Sequence, residues 1–108
     1  MNDLLEKINA LIDASTGDVD EIEHALTDGY AQAMSLEAER WRLERRIAAI
    51  AGEIERGDVA AKAHELGSLA TRLETNEGDL RRLRARLADL RRVASIARVS
   101  ATAGAPGA

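Results

Sequence analysis

Apolar residues return along this chain at intervals of three and four, in three stretches separated by two breaks. The first stretch sets Leu4, Leu5, Ile8, Leu11 and Ile12 on one side, with Glu6, Lys7, Asn9 and Asp13 elsewhere. That spacing predicts a short amphipathic helix over residues 1–14. Gly17 then breaks the pattern, and Asp18 or Asp20 supplies a carboxylate able to cap a new helix beginning near Val19. Residues 15–18 are the expected linker.

From Val19 a stripe runs through Ile22, Leu26, Gly29, Ala33, Leu36, Arg40, Leu43, Ile47, Ile50 and Ile54 in strict alternation of three and four. This is the a/d pattern of a coiled-coil heptad, narrower than the apolar face of a globular helix. It stops at Gly57-Asp58, where a glycine can adopt the left-handed conformation that ends a helix and an acid can cap the next one. A second stripe follows: Val59, Lys62, Leu66, Leu69, Leu73, Asn76, Leu80, Leu83, Leu87, Leu90, Ala94 and Ala97. Residues 100–108 have no apolar pattern and little side chain to bury, so a disordered tail is expected there.

The two stripes check each other. If the chain doubles back at Gly57-Asp58, residues whose numbers sum to 116 lie opposite: Ile50 and Leu66, Ile47 and Leu69, Leu43 and Leu73, Leu36 and Leu80, Leu26 and Leu90. Small residues then meet large ones, Gly29 against Leu87 and Ala33 against Leu83, as close packing requires. At the same sum Arg40 faces Asn76, the single polar interruption in the middle of each stripe. We expect these two to form a buried polar layer that fixes register at some cost in stability, with Glu44 or Glu77 available to the guanidinium. The expected fold is therefore all-α: a long antiparallel two-helix coiled-coil hairpin over residues 19–99, preceded by the short amphipathic N-terminal helix.

Charge supports the doubling back. Residues 1–39 hold ten acids against Lys7 alone, whereas residues 79–98 hold seven arginines against Asp79 and Asp89. The hairpin lays one block along the other. Overall the charge is -4, and the arginine run has no aromatic residues between its members, so nucleic-acid binding is not expected. An arginine-dependent nucleic-acid or nucleotide binder stays as the weaker alternative.

Composition narrows the chemistry further. There is no Cys, no Phe, one Tyr and one Trp, which excludes a disulfide framework and thiolate chemistry and is compatible with a reducing cytoplasm. The first residues carry acids where a signal peptide needs bases, and no apolar run approaches the roughly 20 residues of a membrane span. A soluble, cytoplasmic protein without membrane association is expected. Asp20, His24 and Asp28 stand one helical turn apart, a conceivable local metal site, but such residues are ordinary on an exposed face. An extended hairpin offers no concavity for a small molecule. We expect no catalytic residue, no metal and no cofactor.

Two features remain. Glu53, Glu55 and Asp58 crowd acids at the turn, and the segment "RRIAAIAGEIERGDVAAKAHE" resembles the hairpin of Gre-type transcript-cleavage factors, which carry Gly-Asp at the tip followed closely by a second acid. Asp58 matches the first acid and Ala61 departs at the second. The resemblance implies, as an alternative, a transcription-associated hairpin regulator acting through its acidic tip. The other feature is Trp41, which with Tyr30, Met34 and Ala48 forms a second stripe on the outer flank of the first long helix. Tyr, Trp and Met are enriched at interface centres. Our leading expectation is thus a protein-binding module, a scaffold, adaptor or regulator, whose partner at Tyr30, Met34, Trp41 and Ala48 is a second copy in a homodimer.

Overall fold

The computed structural model of the chain describes residues 1–14, 18–57 and 59–104. Those residues form three helices and no strand: α1 (Asn2–Ala14), α2 (Val19–Glu55) and α3 (Ala60–Gly104). Helices α2 and α3 make a long helical hairpin, and α1 packs with it.

Local chemistry explains the boundaries. Of the two candidate caps, Asp18 is the one used: its Oδ1 accepts the Asp20 N–H at 3.1 Å and its carbonyl accepts the Ile22 N–H at 3.0 Å. One orphan donor of the first turn is thereby satisfied. At the other end of α2, Gly57 takes φ 103° and donates its N–H to the Ile54 carbonyl at 2.9 Å, the left-handed stop that favours glycine. The breaker Gly17 and the second turn residue Asp58 lie outside the described residues.

One boundary differs from the sequence reading. Helix α3 runs on to Gly104, through residues expected to be disordered. Helix propensity accounts for this, because the stretch after Val99 is rich in alanine, the best helix former, and holds no breaker before Gly104. An apolar pattern detects burial, and a helix end held by propensity alone leaves no such trace. Residues 105–108 lie outside the described residues.

The chain divides into two compact units, Met1–Ala33 with Arg82–Ala108, and Met34–Arg81. In the first, Ile8, Ile22, Ala25, Leu83 and Leu90 are fully buried. Ala25, on the flank of the α2 stripe, is buried in the unit that also holds α1. Gly29 is buried against Leu87: a β-carbon there would lie 3.3 Å from Leu87 Cγ and closer still to Cδ2. In the second unit Leu43, Ile50 and Leu69 form a core, with Ile47, Ile54, Leu66 and Leu73 packed against it. Ile50 with Leu66, Ile47 with Leu69 and Leu43 with Leu73 are the pairs that the antiparallel register sets opposite one another.

Candidate functional site

Helix α2 presents two faces of opposite character in the second unit. Its a/d positions fill the core just described. On the outer flank Met34, Trp41 and Ala48 recur at the heptad interval and all three are exposed, Met34 at 70% and Trp41 at 59%. Tyr30, on the same helix in the first unit, is 43% exposed. Leaving an indole in water forfeits the burial its large apolar area could supply. The exposure is only partly relieved within the chain: the Arg45 guanidinium lies over Trp41, 4.5 Å from the ring centroid, a cation–π contact between residues one turn apart.

The expected polar layer takes a different form. Asn76 is buried, 3% exposed, and its Nδ2 donates to the Leu36 carbonyl at 2.9 Å. That carbonyl already accepts the Arg40 N–H in the α2 ladder. Asn76 Oδ1 is buried and accepts no hydrogen bond, so Arg40 does not reach it. The Arg40 side chain, 41% exposed, instead pairs with Glu44, its Nε 3.6 Å from Oε1. Desolvation is the reason: a guanidinium held in the seam would lose its hydration, and its long stem lets the charge leave while the methylenes stay. Asn76 therefore meets α2 at Leu36, one turn before Arg40, and the contact expected between Arg40 and Asn76 is not formed.

Charged residues flank the seam unequally. On one side of the second unit Arg46 reaches across to Glu65 through Nε (3.2 Å) and Nη2 (2.8 Å). This hydrogen bond, followed by the attraction between the two charges, holds the Arg46 guanidinium above its ordinary pKa, and the same bond holds the Glu65 carboxyl below its own. Lys62, assigned to the core by its place in the stripe, sits 3.2 Å from Glu53 Oε2 and 3.8 Å from Glu65 Oε2. Glu53 Oε2 is buried without a hydrogen bond, so the ion pair is what compensates its lost hydration. In the first unit the flanking pair is Arg98 with Glu23, Nε to Oε1 at 3.0 Å.

Among the described residues no three His, Asp or Glu side chains converge on a point that could hold a metal, so Asp20, His24 and Asp28 do not form such a group. Among the described residues no helix is long and apolar enough to cross a membrane. Of the turn pair, Gly57 is positioned by its own backbone, and Asp58 lies outside the described residues. Sequence reasoning overlooked Arg45 and the Arg46, Glu53, Lys62 and Glu65 cluster. Both were readable, Arg45 from its four-residue distance to Trp41 and Arg46 with Glu65 from the antiparallel register. No protein family, curated protein or solved structure matches this chain.

Proposed function

We propose that this chain is a non-enzymatic helix-on-helix binding module, a small scaffold, adaptor or regulator of the cytoplasm, that self-associates through the outer face of α2. A single observation carries the reading: Met34 and Trp41, with Ala48, stand exposed at heptad spacing on a helix whose other face is already filled. Heptad spacing favours another helix as the occupant, since only a helix meets such a stripe continuously. Large exposed apolar side chains on one line mark contact surfaces, and two hairpins joined on such faces give a four-helix bundle.

Light scattering over a concentration series tests the proposal. The wild type is expected to form a dimer that Trp41→Glu dissociates while its circular dichroism spectrum stays helical. A wild type that is monomeric throughout, or a Trp41→Glu variant that dimerises as before, overturns it.

A further inference from the structure

Helix α2 carries a second stripe, on the side turned away from the hairpin seam. Met34, Ala38, Trp41, Arg45, Ala48 and Gly52 follow at steps of four, three, four, three and four residues, the spacing of a coiled-coil seam, and all six belong to the unit Met34–Arg81. The first five are exposed and Gly52 is half-buried. This stripe is its own complement on reversal. At a constant sum of 86, Met34 lies opposite Gly52, Ala38 opposite Ala48 and Trp41 opposite Arg45, so every member has a partner and, under two-fold symmetry, each pair occurs twice. The long flexible side chain meets the glycine and small meets small, as close packing requires. The remaining pair is an arginine with an indole. Within the chain Arg45 already lies over one face of Trp41, and the second face of the ring is the one an Arg45 from another copy would cover.

Other arrangements of two such stripes fare worse. Sliding one copy by a heptad sends Met34 to residue 59, beyond the end of α2 at Glu55, or sets it against Arg45. A parallel copy stacks Arg45 on Arg45 and Gly52 on Gly52, which brings like charges together in the middle of the contact and leaves a gap beside them. Its gain, Glu37 against Arg42, lies at the rim, where exposed pairs contribute little. The antiparallel copy brings Glu37 toward Glu44 at the same rim, and both are already engaged within their own chain, Glu44 with Arg40. Gly52 supplies an independent reason. Glycine inside a helix weakens it relative to alanine, and an added β-carbon at this position would meet only the end of the Arg56 side chain, at 3.8 Å. Packing among the described residues gives that glycine no use, whereas the approach of a methionine from a second helix does.

We infer that a second copy of this chain docks antiparallel along this stripe of α2, with Trp41 of each copy against Arg45 of the other, Met34 against Gly52 and Ala38 against Ala48. The inference rests on the self-association proposed above and deepens it by assigning the orientation and register of the two copies.

Introduced cysteines test it, because the chain has none of its own. Under a mild oxidant, Ala38→Cys mixed with Ala48→Cys should form the mixed disulfide, and neither variant alone should cross-link. The antiparallel register holds the two copies of residue 38, like those of residue 48, about 15 Å apart along the axis, beyond the reach of a disulfide. A second measurement needs no cross-link. Gly52→Leu should dimerise at least roughly tenfold more weakly than wild type while circular dichroism shows it as helical as before, and adding Met34→Ala should restore most of the loss. A dimeric wild type for which the mixture fails to cross-link, Ala38→Cys cross-links to itself, or Gly52→Leu dimerises as tightly as before overturns the antiparallel register and leaves self-association standing. A wild type that stays monomeric overturns both.

Discussion

Asn76 donates its side-chain amide to the backbone carbonyl of Leu36, 2.9 Å away on the opposite helix, and leaves its own Oδ1 buried without a donor. The polar residue in the middle of α3 therefore reads the backbone of α2, one turn before the arginine that the register sets opposite it.

This relationship predicts an asymmetry between two substitutions. Asn76→Leu removes a buried, unsatisfied acceptor and leaves no orphan behind, since the Leu36 carbonyl keeps its helical N–H. We expect stability to rise by about 1–2 kcal/mol, with slipped or oligomeric species becoming detectable by light scattering. Arg40→Leu exchanges a half-exposed ion pair and should change stability by less than about 1 kcal/mol. Thermal melts of both variants check the order; a larger gain for Arg40→Leu would contradict it.

Gly29 predicts an outcome against helix propensity. Alanine in place of a helical glycine ordinarily stabilises by about 1 kcal/mol. Here the new methyl group would drive into Leu87, itself buried, and overpacking costs about 1–3 kcal/mol. Gly29→Ala should lower the melting temperature, and a rise would show that Leu87 repacks freely.

Acid should weaken the Arg46–Glu65 link in a defined window. The folded-state pKa of Glu65 is depressed, so its contribution is fully present above the unfolded carboxyl value of about 4.3 and is lost as pH falls through the lower folded value. The stability difference between wild type and Glu65→Gln should be constant near neutrality and shrink only below about pH 4. A difference that persists at pH 2 would remove the carboxylate from the account. Arg46, shifted upward, keeps its charge throughout this range.

Trp41 is the sole tryptophan, so its fluorescence reports the outer face of α2 directly. Dilute protein should emit like an exposed indole, and the emission should move to shorter wavelength as concentration rises, in step with light scattering. At dilutions where both proteins are monomeric, Trp41→Glu should leave folding stability within about 0.5 kcal/mol, because the ring contributes little to the core.

The alternation of three and four, together with one glycine, contained the helical hairpin and most of its core residues, although Val59 on the second stripe is exposed and Ala25 beside the first is buried. That information is local: covalent spacing and the pitch of a helix decide which side chains share a face, and a short turn decides which face meets which. The same spacing marked Trp41, Met34, Tyr30 and Ala48 as outward, and all four are exposed.

What the tertiary structure decided concerns long or polar side chains, whose positions are competitions between hydration and contact. Sequence placed Arg40 and Lys62 on the core stripe and offered Arg40 either Glu44 or Glu77; packing chose Glu44 for Arg40 and took Lys62 to Glu53 and Glu65. Asn76 is too short to reach water and stays behind, where it finds a backbone carbonyl that no pattern of side chains announces. Periodicity determines where a side chain begins, and the free energy of its far end, settled against every neighbour at once, determines where it finishes.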